Sequence, residues 1–187
     1  MTIEALVARY GLGAVFAGAA IEGETAVVAG GVLAHHGLLP LAGACVAAAT
    51  GSFIADQAWF VAGRRFRGHR WVRGLRERTA FARALALFER HPVGFIFAFR
   101  FIYGFRTVSP VAIGTSAVPT RTFVLVNAVA AVVWGVAFTL IGWFFGHALE
   151  AALGRLRPDR NVLVIGIVTL VTAAALTVAW RWRRRRD

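Results

Sequence analysis

Residues 162 to 180 read VLVIGIVTLVTAAALTVAW, nineteen consecutive positions without a charged side chain. A helix of about 20 apolar residues crosses the hydrocarbon core of a bilayer, where every backbone polar group must find its partner inside the protein. Further apolar segments lie at about 11 to 34, 38 to 63, 92 to 118 and 122 to 148. In a chain of 187 residues, 58% of them apolar, five such segments leave little sequence for anything else. The expectation is an all-α integral membrane protein, a single polytopic domain over residues 1–187.

Charge sets the topology. All 21 basic residues are arginines, against nine acidic ones. Nine arginines fall in residues 64 to 90 and five in the tail RWRRRRD. Basic clusters next to spans stay on the cytoplasmic side and meet anionic lipid. The stretch 64 to 91 is therefore read as a basic amphipathic cytoplasmic segment, the C-terminus as cytoplasmic and nucleic acid as no partner. The AGA at 17 to 19 resembles a signal-peptidase site, but the preceding MTIEALVARYG has one arginine offset by Glu4, so the segment is expected to be retained. Cys45 is the single cysteine and no metal-type cluster is present in the sequence, so neither disulfide, metal nor cofactor is expected.

Two of the five segments are interrupted. EGET, Glu22 to Thr25, splits the first into apolar halves, and RTVSP splits 92 to 118 between Gly104 and Pro110. Charges, glycine and proline inside an apolar run are what a broken or re-entrant helix requires. Parity agrees. With the tail inside, the C-terminal transmembrane helix 162 to 180 puts EAALGRLRPDRN outside, so the span 122 to 148 begins inside. Residues 64 to 91 are also inside, so 92 to 118 enters and leaves on one face. The halves further show matching landmarks: EGET, Gly31, Gly51 and WFVAGR in one, GFRT, Gly114, Gly135 and WFFGH in the other. The fold expected is two inverted repeats, each a re-entrant broken-helix hairpin followed by a transmembrane span, plus the C-terminal helix.

The chemistry sits at the breaks. Glu22, Glu24 and Asp56 lie in the first half, Arg100 and Arg106 in the second. A charge at the bilayer centre costs about 2.5–3.5 kcal/mol on insertion scales, so these five must face one another or a wet cavity. Plain ion pairs between two hairpins would satisfy that demand. So would an anion site, with guanidinium forks for a phosphate and carboxylates that can take up protons. In that reading Arg100 and Arg106 bind substrate and Glu22, Glu24 and Asp56 couple protons. His35 and His36 adjoin Gly37 and Pro40, which favours an interfacial place over a proton relay. Ser109 and Ser116 carry no activation signature, and no nucleophile with its base is recognisable, so no enzyme is expected.

The motifs EGETAVVAGGVLAHHG, DQAWFVAGRRFRG and FRFIYGFRTVSPVAIGTSAVPTRTFVLVNAVAAVVWG resemble those of the DedA family of bacterial inner-membrane proteins, whose shared region is the VTT or SNARE-associated domain. The resemblance covers roughly residues 10 to 148, and its third motif keeps both arginines, Gly104, Gly114, Phe123, Asn127 and Trp134. It departs from the usual pattern at Glu22 and Tyr103, where the family has proline, and at Ala55, where it has glycine.

The resemblance implies facing re-entrant hairpins, and functional acidic and arginine positions at Glu24, Asp56, Arg100 and Arg106, with Glu22 in an EGET variant. It also implies a flippase that moves a phosphate-bearing polyprenyl lipid, undecaprenyl phosphate, between leaflets of the bacterial inner membrane at the expense of the proton motive force. A broad-specificity phospholipid scramblase, a proton-coupled exporter of a small ion and a non-transporting envelope scaffold are the alternatives. Homo-oligomerisation is left open.

Overall fold

The computed structural model describes residues 3–21, 23–69, 91–101 and 108–153. Regular structure among them is entirely helical: α1 (Ile3–Ile21), α2 (Glu24–His35), α3 (Leu41–Arg65), α4 (Pro92–Ala98) continued by a 3-10 turn (Phe99–Phe101), α5 (Val108–Thr115) and α6 (Thr120–Leu153). Helix α3, and α6 over Thr120–Ala148, are long and apolar enough to cross a membrane. They match two of the three uninterrupted runs. The third, 162 to 180, lies outside the described residues, as do Glu22, Arg106 and residues 70–90 of the basic stretch.

The first interrupted segment breaks at its carboxylates. Helix α1 stops at Ile21, Gly23 takes the left-handed φ of 93° that glycine adopts without strain, and α2 starts at Glu24. The Gly23 N–H donates to the Gly18 carbonyl at 2.9 Å, closing the turn. Glu24 stands in the first turn of α2, where a negative charge suits the helix dipole. One feature differs from the sequence expectation: α1 begins at Ile3 rather than near residue 11 and is 19 residues long. Glu4 and Arg9 end the apolar run but are both good helix formers, so the helix continues through them.

The second interrupted segment opens with Pro92 in the first turn of α4, where its missing N–H costs nothing. The helix then tightens into the turn at Phe99–Phe101. Pro110 sits in the first turn of α5 for the same reason.

The chain divides into two compact units, Met1–Gly51 with Gly135–Asp187, and Ser52–Trp134. In the first, α1 and α2 form an antiparallel pair held by small residues: a Cβ on Gly18 would overlap that of Ala26, and one on Gly30 would meet Val15 at 2.7 Å. Helix α2 meets the later part of α6 backbone to backbone. A Cβ on Gly31 would overlap the Thr139 carbonyl oxygen, and one on Gly142 the Val28 carbonyl. Close backbone approach of this kind is how helices gain van der Waals contact where lipid removes the hydrophobic incentive to associate.

The second unit joins the later part of α3 to α4, α5 and the start of α6. Its core is Phe60, Ile96, Phe99, Ile113, Val118 and Phe123. The Phe60 and Phe123 rings stack 4.1 Å apart and 7° from parallel. Gly63 and Gly114 bring α3 and α5 together, each against backbone atoms of the other helix. Exposed apolar side chains instead mark α6, at Leu125, Val129, Val132, Val133 and Val136, the helical spacing of a lipid-facing stripe.

Alanine at Gly31 or Gly114 is expected to cost about 1–3 kcal/mol, the range for forcing a methyl into packed structure. Gly94→Ala should not lower stability, because nothing lies within 4 Å of its Cβ position and alanine is the better helix former. Thermal unfolding in detergent checks this, and an unshifted Gly114→Ala midpoint would contradict the seam.

A candidate functional site around a buried arginine

Three stretches distant in sequence deliver one polar cluster within the second unit. Ser52 and Asp56 are four residues apart on α3 and so share a face. Asn127 comes from α6. Arg100 sits in the turn after α4, next to Phe99, and both side chains are buried there.

Arg100 is 1% exposed, Asp56 2%, and Ser52 and Asn127 fully buried. The guanidinium donates from Nη1 to Ser52 Oγ at 2.5 Å. From Nη2 it donates to the Asp56 carboxylate, forming a buried ion pair, and to Asn127 Oδ1 at 2.9 Å. Its Nε donates to the same Oδ1 at 3.2 Å. Among the described residues the cluster carries one positive and one negative charge, which sum to zero. Neutrality is what permits it in an apolar setting, since either charge alone would forfeit several kcal/mol of solvation.

The Asn127 amide is oriented by its neighbour. Arginine offers only donors, so the atom facing Nε and Nη2 must be the oxygen, and the amide nitrogen points elsewhere.

A second arginine has a different role. Arg64, near the end of α3, donates to the carbonyls of Ser116 at 3.0 Å and Val118 at 2.5 Å, and its guanidinium lies 5.0 Å above the Phe60 ring. Ser116 in turn hydrogen-bonds the Ile113 carbonyl through its hydroxyl at 2.7 Å. The cation thus caps the carbonyls that follow α5, an end where positive charge is favourable.

Of the residues expected at the site, Asp56 and Arg100 are brought into direct contact. Glu24 belongs to the first unit, partly buried at the start of α2. Glu22 and Arg106 lie outside the described residues. In the first unit the His35 ring packs against those of His36, Trp143 and His147, with centroids 5.2, 5.4 and 5.6 Å apart. Ser52 and Asn127 were not among the expected functional residues. Ser52 has a signal, its position one helical turn before Asp56; Asn127 has another, as a lone amide within the apolar run that forms α6.

The VTT domain model matches residues 21–144, which includes all four members of the cluster. The chain belongs to the VTT domain family, the DedA proteins. It is 36% identical over 186 residues to the inner membrane protein YohD of Escherichia coli, covering 100% of this chain and 95% of that one. Similarity extends to the uncharacterized membrane protein ML0287 of Mycobacterium leprae, 25% identical over 89% of this chain and 74% of the relative. It extends also to slr0232 of Synechocystis, 29% identical over 79% of this chain and 73% of the relative. No solved structure matches. This DedA-family chain is thus a bacterial membrane protein whose described regular structure is helical, of a family generally regarded as membrane transporters.

The ion pair makes a specific energetic prediction for this DedA protein. Removing one partner, as in Asp56→Leu or Arg100→Met, should cost about 3–5 kcal/mol by stranding the other. The double variant should recover at least half of that loss. Thermal unfolding of the two single variants and the double variant measures the coupling, and additive losses would mean that the two charges do not depend on each other.

Proposed function

We propose that the protein is a proton-coupled carrier that moves a phosphate-bearing polyprenyl lipid, undecaprenyl phosphate, between leaflets of the inner membrane. The observation that carries this reading is the buried Arg100–Asp56 pair. Arginine keeps its charge at any physiological pH, whereas a carboxylate can be neutralised by a proton. When Asp56 takes up a proton, Arg100 loses its counter-charge inside the protein. An anion must then replace it, and a phosphate suits a guanidinium through paired, charge-assisted hydrogen bonds. Proton uptake and anion binding therefore favour each other, and loss of the proton expels the anion. Arg106 is proposed as the second phosphate-binding arginine, and Glu22 and Glu24 as further proton-coupling groups.

The proposed architecture is multi-pass with a cytoplasmic C-terminus. Two inverted repeats would bring re-entrant hairpins to mid-membrane, each contributing part of the path while the polyprenyl tail stays in lipid. Two observations support it: the chain reverses at Gly23 in the first interrupted segment, and a glycine seam of the same kind occurs in each unit, at Gly31 with Gly142 and at Gly63 with Gly114. A membrane potential supplies about 2.3 kcal/mol per charge per 100 mV, enough to bias which side the site faces.

A scaffold reading has one observation in its favour: three protein side chains already accept from Arg100. Transport separates the two. Purified protein in vesicles should exchange labelled undecaprenyl phosphate between leaflets faster under an imposed proton gradient. Arg100→Ala, Arg106→Ala and Glu24→Gln should each reduce that rate at least tenfold in folded protein. Exchange no faster than in empty vesicles would favour the scaffold, and gradient-independent exchange of many headgroups would indicate a scramblase.

A further inference from the structure

The proposed carrier cycle leaves one buried group of the cluster without a task. The Asn127 side chain is fully buried, its Oδ1 is committed to Arg100 through both Nε and Nη2, and its Nδ2 has no hydrogen-bond partner among the described residues. A flipped amide cannot resolve this, because it would turn N–H groups toward the guanidinium. Ser52 Oγ and the Asp56 carboxylate each accept from Arg100 instead. A buried donor without an acceptor destabilises a fold unless something else uses it.

We propose that Asn127 is a substrate-binding residue, whose Nδ2 donates to a terminal oxygen of the phosphate that Arg100 holds. This assignment rests on the carrier reading and refines it. The guanidinium and the amide nitrogen are donors tied to each other through Oδ1, so an anion arriving at Arg100 finds a neutral donor held at a set position beside the cation. An oxyanion with several unsubstituted oxygens, such as a phosphomonoester, can accept from both at once. A single-point anion such as chloride gains only the charge. Asn127 is thus the group that selects a phosphate from other anions, and Asp56, which shares Nη2 with it, is the group that the phosphate displaces.

Asn127→Asp tests this against a control of equal charge. It keeps an oxygen acceptor for Arg100, removes the N–H donor and adds one negative charge. Ser52→Asp adds the same charge beside Arg100 and leaves the donor in place. The assignment expects affinity for undecaprenyl phosphate in detergent at least tenfold weaker in folded Asn127→Asp than in folded Ser52→Asp, whereas a residue that only braces Arg100 would give equal losses. A second measurement uses the unaltered protein with asparagine side chains labelled by 15N: titration with undecaprenyl phosphate should shift the Asn127 amide signals. Wild-type binding with an unshifted amide, or with affinity in folded Asn127→Asp no weaker than in folded Ser52→Asp, would overturn the role of Asn127 and leave the carrier reading standing. Absence of binding by the wild type would overturn the carrier reading and the Asn127 assignment together. Inorganic phosphate is the remaining arm. If it moves the amide signals as far as the lipid does, Asn127 stands as a phosphate donor and the ligand is the free anion.

Discussion

A guanidinium removed from water inside an apolar helical protein is the constraint around which the second unit is organised. Arg100 cannot lose its proton, so its surroundings must supply both a negative charge and enough acceptors to replace hydration. Among the described residues one carboxylate, one hydroxyl and one amide oxygen contribute to that requirement, and they come from two helices and reach a turn that belongs to neither. The turn is the third requirement. In a continued α-helix, Phe99 and Arg100 would point about 100° apart; the tighter turn at Phe99–Phe101 is where both are buried, one in the aromatic core and one in the polar cluster.

Such a cluster is only as exact as the helices that present it. Small residues provide that exactness, because a seam of backbone on backbone leaves few alternative registers. Gly63 lies seven residues beyond Asp56 on α3, and its contact with α5 fixes how far along that helix the carboxylate sits. Arg64, the next residue, clamps the carbonyls after α5. Phe60, between Asp56 and Gly63, stacks on Phe123, one turn before Asn127 on α6. The polar cluster, the aromatic stack and the glycine seam are thus successive turns of one helix. A change in any of them reaches the other two through a rigid element.

Hydropathy makes α3 and α6 legible from sequence because lipid-facing and core-facing positions are both apolar, and the runs are long. The break after Ile21 is legible for the opposite reason, since Glu22 and Glu24 could not sit in lipid. The start of α1 is not legible, because hydropathy registers where charges begin and the helix does not end there. The pairing of Asp56 with Arg100 is half visible: a lone acid and a lone base in apolar runs imply partners, but which of three acids meets which arginine depends on packing across 44 positions. Asn127 is harder still. A neutral amide costs little in a hydropathy profile, so the lone Asn127 in its apolar run marks a position but not a partner, which is seen only in the commitment of its oxygen to Arg100.

The choice of arginine over lysine at position 100 bears on how coupling can work. In an ion pair between two titratable groups, a proton can leave the cation or join the anion, and either step breaks the pair. Arginine removes the first possibility, so within this pair only Asp56 can take up or release a proton. On the carrier reading, the positive charge therefore stays in place whatever the occupant, and the site would alternate between two states, one with the Asp56 carboxylate and one with an external anion facing Arg100. Neither would leave Arg100 without a counter-charge in the protein interior. The second would also give the Asn127 amide nitrogen an acceptor. A site built this way would be most stable filled, by its own carboxylate or by a ligand, which is the property required of a carrier that must not leak ions while empty.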